Sequence, residues 1–142
     1  MDIHKELLES IEKINSEFAK ADIRGLLRCY SDQPQVLTSH YSPAYTTEGL
    51  SRYYEQKIGD GYRNPISNTF YAQIDDELAY AIGETTFEIV GNISKHFNWI
   101  KVFERGIGGS WLLKSVFSMD SQLSNAEKFP NLFEVYKVYA ER

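Results

Sequence analysis

Apolar residues recur at steps of three and four through the opening segment: Ile3, Leu7, Ile11, Ile14 and Phe18, with Glu6, Glu9, Glu12, Lys13 and Glu17 between them. This spacing predicts an amphipathic helix that ends near Lys20 and lays one stripe on a core. Asp22 then reads as the N-cap of a short second helix with Ile23, Leu26, Leu27 and Tyr30 on its buried side, stopped by Pro34 after Ser31-Asp32-Gln33. Alternation over Val36, Thr38 and His40 predicts a short strand entering a loop with Tyr41, Pro43 and Tyr45. Thr47 is the expected cap of a third helix with Leu50, Tyr54 and Ile58 on one face, ended by Gly59 and Gly61.

From Ile66 to Ser121 the pattern changes to strands: Ser67 to Ile74, Leu78 to Val90, Lys95 to Arg105 and Ser110 to Ser121. Their links, Asp75-Asp76-Glu77, Gly91-Asn92-Ile93-Ser94 and Gly106-Ile107-Gly108-Gly109, are too short for crossovers and predict an antiparallel meander. After Ser121 the chain turns polar, and Asn131, Leu132, Val135, Tyr136 and Tyr139 suggest a last helix with a narrow apolar stripe, which should dock on its own sheet or on a partner subunit.

Pairing the strands assigns residues to faces. With Val90 opposite Lys95, Glu84 falls opposite Lys101, Ile82 opposite Phe103 and Thr86 opposite Trp99. With Arg105 opposite Trp111, Lys101 falls beside Ser115 and Trp99 beside Phe117. The expected inner face is then bulky and aromatic and carries a Glu84/Lys101 pair; a slip of one residue at either turn would mix the faces.

Composition narrows the function classes. At 142 residues the chain fits one domain, 1–142, with 122–142 as a C-terminal extension. Aromatic residues make up 14% of it, more ring surface than packing alone requires, so part of it is expected to line a pocket or an interface. A net charge of -5 and no basic cluster argue against nucleic acid. The charged N-terminus and the lack of a long apolar run indicate a soluble, cytoplasmic protein with no membrane partner. One cysteine, Cys29, and three scattered histidines form no spaced metal motif, and no cofactor is expected.

Several segments carry a family resemblance. They are Phe18-Ala19-Lys20-Ala21-Asp22 leading to Leu26-Leu27, Tyr30-Ser31-Asp32, Tyr45-Thr46-Thr47-Glu48-Gly49-Leu50, the run Leu78 to Glu84, and Gly108-Gly109-Ser110-Trp111-Leu112-Leu113. In this order of elements, residues 5–121 resemble the nuclear transport factor 2-like superfamily, and within it the SnoaL-like domains. The resemblance implies an α+β fold, a cone-like curved antiparallel sheet covered by N-terminal helices (a cystatin-like α+β roll), with a pocket inside the cone and a homodimer through the outer sheet face. Ketosteroid isomerase, a worked example of pKa tuning, is similar in layout. Its tyrosine donor, aspartate base and protonated aspartate fall on Ile14, Thr38 and near Lys101, so none of the three is kept and that isomerisation is not implied. The calcium/calmodulin-dependent kinase II association domain is similar in its last strand, but Glu84 stands where that domain has a pocket arginine.

The candidate chemistry follows from the expected faces. Glu84 and Lys101 read either as an acid/base pair in a closed pocket or as a cross-strand salt bridge on an outer face. His40 would point inward at the pocket rim as a general base, or be a satisfied histidine. Tyr30 and Asp32 read as a donor and acceptor over the pocket mouth, or as core and turn residues. The helices and first strand would contribute Phe18, Tyr30, Thr38, Tyr45 and Tyr54 to the pocket wall, and the sheet Trp99, Phe103, Ser115 and Phe117. Cys29, with only Arg28 as a basic neighbour, reads as an inert thiol. The expected function is binding of a small apolar or aromatic molecule. The alternatives are a cofactor-free cyclase, isomerase or dehydratase using His40 or the Glu84/Lys101 pair, and a protein-association module.

Overall fold

The computed structural model describes residues 3–89 and 93–121; the expected C-terminal helix lies outside them. Three helices precede most of the sheet: α1 (Ile3–Ala19), α2 (Ile23–Arg28) and α3 (Thr47–Gly59). Leu7, Ile11, Ile14 and Phe18 of α1 are all buried, as their spacing predicts. The helix ends where Ala21 takes a left-handed φ of 55°. Asp22 then caps α2 by accepting the Gly25 amide at 3.0 Å. Thr46, one residue before the expected cap, accepts the Gly49 amide at 3.0 Å and opens α3.

The second helix is shorter than expected. β1 spans Tyr30–Thr38, so Tyr30 to Gln33 are strand, and Pro34 lies inside the strand rather than stopping a helix. The physical reason is position: among the described strands β1 lies at the edge of the sheet, beside β5 (Trp111–Ser121), so a missing N–H can face away from the ladder. The register slips between Tyr30 and Gln35, where an irregularity takes up the proline.

The remaining strands are β2 (Arg63–Asp75), β3 (Leu78–Ile89) and β4 (Ile93–Arg105). The sheet order is β1-β5-β4-β3-β2. The meander from β2 to β5 is antiparallel as predicted, while β1 joins β5 in parallel, making the sheet mixed. Helices and sheet together form the expected α+β roll. Phe103, Leu113, Leu7, Ile11, Leu26 and Leu50 are almost completely buried between them, each contributing about 1.5–3 kcal/mol by burial. No helix among the described residues is long and apolar enough to cross a membrane.

Register is where sequence and structure part. Lys95 pairs with Phe87, not Val90, so Lys101 lies opposite Ala81 and Glu84 opposite Asn98. The slip is three residues, an odd number, and therefore sends Glu84 and Lys101 to opposite faces. Between β4 and β5 the predicted pairs Arg105/Trp111 and Phe103/Leu113 do form, but a bulge follows and Val102 pairs with Ser115, Lys101 with Val116 and Ile100 with Phe117. That extra residue turns Ser115 and Phe117 to the outer face, away from the expected pocket.

Candidate functional site

The inner face of the sheet, α1 and α3 line a cavity of about 60 Å³. A single water needs roughly 10–15 Å³, so the space suits a few waters or a compact organic molecule. Its wall includes Phe18 of α1, Tyr30, Val36 and Thr38 of β1, Tyr53, Tyr54 and Lys57 of α3, Thr85 and Phe87 of β3, Phe97, Trp99 and Lys101 of β4, and Val116 and Ser118 of β5.

Two lysines define the electrostatics. Lys57 is 8% exposed and Lys101 is 7% exposed, and both line this cavity. Burial draws the Lys57 ammonium down to about 7. Burial does the same to Lys101, also to about 7, helped by repulsion from Lys57 and opposed by the carboxylate of Glu12. Among the described residues, the cavity wall holds no aspartate or glutamate.

The two lysines are held differently. Lys57 Nζ donates to the Tyr53 hydroxyl at 3.1 Å. It sits 4.3 Å from the Phe87 ring centroid, 5.0 Å from Phe97, 5.3 Å from Tyr62, 5.4 Å from Tyr53 and 6.0 Å from Phe18. Ring faces attract a cation, so this cage favours the ammonium form that burial opposes. Lys101 Nζ lies 4.3 Å over the Trp99 ring and makes no hydrogen bond to a described residue.

Trp99 itself is seated by two features. Its Nε1 donates to Thr85 Oγ1 at 2.8 Å. Thr85 is bonded to Ser67 at 2.7 Å and Ser67 to Asn15 at 2.9 Å, so a polar chain runs from the sheet to α1. Gly83, paired with Trp99, supplies the room: a Cβ there would stand 2.6 Å from Trp99 Cζ2 and 2.4 Å from the Asn68 carbonyl. The Tyr30 and Tyr54 hydroxyls, also in this wall, meet at 2.5 Å, and burial raises both phenols far above their ordinary range, so both stay protonated, one donating to the other and leaving one O–H free.

The structure brings together Phe18, Tyr30, Thr38, Tyr54, Trp99 and Lys101 of the expected site. It separates the rest. His40 follows the end of β1 with a left-handed φ of 74°; its side chain is 56% exposed and bonds to Asp120 at 2.7 Å. The strand alternation that aimed it inward stops two residues earlier. Glu84 is buried, 2% exposed, but on the outer face, where Asn68 donates to it at 3.5 Å. Tyr45 is turned out, 65% exposed, because its neighbour Ala44 folds back to pair with Val36. Phe103 is wholly buried below the cavity, Ser115 bonds to Gln35 at 3.3 Å, and Phe117 is 46% exposed. Asp32 is exposed, while Tyr30 is buried on Tyr54. Cys29 is buried, and desolvation raises its thiol, consistent with an inert role.

Lys57 was not among the expected site residues. The signal was present: it lies three residues after Tyr54 and four after Tyr53 on α3, which puts it on their face. A lysine on an apolar helix face reads by default as snorkelling to solvent, and only the closing sheet prevents that here.

This combination of three helices, a curved mixed sheet and an inner cavity defines the nuclear transport factor 2-like, cystatin-like fold class. No protein-family model and no curated protein matches the chain. Solved structures do. A nuclear transport factor 2-like protein with a cystatin-like fold from Novosphingobium aromaticivorans superposes with a TM-score of 0.70 at 12% identity, covering 88% of this chain and 86% of that one. A protein from Xanthomonas campestris assigned as a calcium/calmodulin dependent protein kinase II association domain gives 0.70 at 18% identity, over 82% and 86%. A ketosteroid isomerase-like protein from Erwinia carotovora gives 0.68 at 13% identity, over 79% and 91%. At these identities the likeness is one of fold.

Proposed function

We propose that the chain binds a small organic anion, a carboxylate on a compact apolar or aromatic body, inside the cone. The observation that carries this reading is the pair Lys57 and Lys101, two buried amines facing one cavity whose described wall contains no acid. Burying an unpaired ammonium is unfavourable by several kcal/mol, and an anion entering the cavity would relieve both lysines at once. The rings supply the apolar wall, and the hydrogen-bonded Tyr30/Tyr54 hydroxyl pair supplies one donor for a ligand oxygen. The likeness to a ketosteroid isomerase-like protein sharpens the point. Ile14, Thr38 and Lys101, at or near the positions that the family resemblance assigns to that chemistry, all line this cavity, but they put an aliphatic group, a hydroxyl and a cation where it uses a tyrosine and two aspartates.

The test is a thermal-shift and calorimetric titration with short aliphatic and aromatic carboxylates against their amide counterparts. Carboxylates should raise Tm and amides should not; equal shifts, or none, would remove the anion reading. A SnoaL-like affiliation is part of this proposal, as is a cofactor-free cyclase, isomerase or dehydratase in which Lys101, the one of His40, Glu84 and Lys101 that lines the cavity, acts as base. A homodimer is supported by one further observation, the exposed apolar outer face of Ile66, Ile100, Phe117 and Met119. Sizing should give twice 16.4 kDa, and elution as a monomer would exclude it.

A further inference from the structure

We infer that Lys101 is a nucleophilic amine that captures a small 2-oxo acid as an imine, with Lys57 holding the carboxylate of the same molecule. This rests on the reading of the cavity as an anion site and goes beyond it by naming the ligand class and a covalent step. The geometry distinguishes the two amines. Lys57 is tied to Tyr53 and surrounded by five rings, an arrangement that suits a retained positive charge and leaves it an anchor. Lys101 projects from the middle of β4, between Ala81 and Val116, with one face on Trp99 and no hydrogen-bond partner among the described residues. A lysine in an apolar pocket beside a second cation is the setting in which an amine is nucleophilic at neutral pH, and burial, helped by the Lys57 charge, draws Lys101 in that direction.

The cavity limits the substrate. At about 60 Å³ the cavity favours a short acid. A 2-oxo acid places its carbonyl carbon directly beside its carboxylate, so it offers one group to each of the two amines that line this cavity. In the step itself the Lys101 nitrogen lone pair adds to the carbonyl carbon. The carbon–oxygen bond of the resulting carbinolamine then breaks, the oxygen leaves as water with the two protons shed by the nitrogen, and a carbon–nitrogen double bond remains. No oxidant or reductant is needed.

The experiment incubates the full chain with pyruvate and sodium cyanoborohydride, which reduces any imine to a stable secondary amine, and follows intact mass and peptide maps. The expected product is a single adduct heavier by pyruvate less one oxygen atom, located at Lys101. It should form on the order of tenfold faster than adducts at solvent-exposed lysines, of which Lys20 and Lys114 are examples. A Lys101→Arg variant, which keeps the charge but cannot form an imine, should lose the adduct. Peptide mapping of the unsubstituted chain gives the same answer if that variant does not fold. Adducts scattered over exposed lysines would overturn the inference, as would a Tm shift with pyruvate and propionate but no adduct at Lys101; in that second case anion binding stands. No Tm shift with either acid and no adduct would overturn both.

Discussion

The two faces of the sheet are built from the same strands yet meet opposite environments. The inner face carries Phe97, Trp99, Lys101 and Phe103 on β4, all buried, whereas Ile100 on the same strand is exposed on the outer face with Phe117 of β5 beside it. The outer face leaves large apolar side chains exposed, while the inner one buries a lysine among its rings. Hydrophobicity alone would not have placed Ile100 outside and Lys101 inside, so burial here follows from register and from which face the helices cover. A fold that leaves isoleucines in water while enclosing amines has arranged its inner face for something other than maximal stability, and exposed apolar surface of this kind marks contact with another body.

The comparison can be broken most directly at its two phenylalanines. Phe103→Ala removes a ring that is 0% exposed and should lower unfolding stability by about 4 kcal/mol in urea titration; a loss near zero would mean that the inner face is not the core.

Next in size is pH. Both lysines have folded values near 7 against an ordinary 10.5. Between those values the unfolded chain binds more protons than the folded one, so stability rises as pH increases through that window. Denaturant midpoints from pH 7 to about 9.5 should therefore climb, by on the order of 3 kcal/mol. Above about 10 the trend should reverse, because Tyr30, Tyr53 and Tyr54 are raised by burial and stay protonated only when folded. A flat profile would place the amines in contact with solvent or a counter-ion.

Lys101→Met isolates one amine. Replacing an unpaired buried charge by an apolar side chain of similar length should stabilise the ligand-free chain by about 2 kcal/mol at pH 7 while abolishing carboxylate binding. A gain in stability with unchanged binding would assign the anion to Lys57 alone. The smallest effect is expected at Phe117→Ala, about 0.5 kcal/mol or less on the unfolding of a monomer, with a weaker dimer by sizing as its readout. If Phe117→Ala destabilises as strongly as Phe103→Ala, the two faces are not different in kind.

Much of the architecture was legible in the chain itself. The stripe from Leu7 to Phe18, the Asp22 cap and the strand block after Ile66 are local patterns, and local patterns report element type because side-chain period follows directly from backbone geometry. The exceptions are instructive. Pro34 was read as a helix stop because its rule concerns the chain, whereas its tolerance in β1 depends on which edge of the sheet that strand occupies. His40 was placed by extending an alternation past the point where the strand ends.

The site was legible only in part, for the same reason. Composition and pattern by themselves determined an α+β chain with surplus rings, a lysine on the third strand of the meander and another on the third helix. Only the tertiary structure decided that both amines line one cavity, that Glu84 does not accompany them, and that Ser115 and Phe117 lie on the other side. A single bulge and a three-residue slip separate these outcomes. Because side chains alternate with period two, odd shifts exchange the faces completely while leaving every local pattern unchanged.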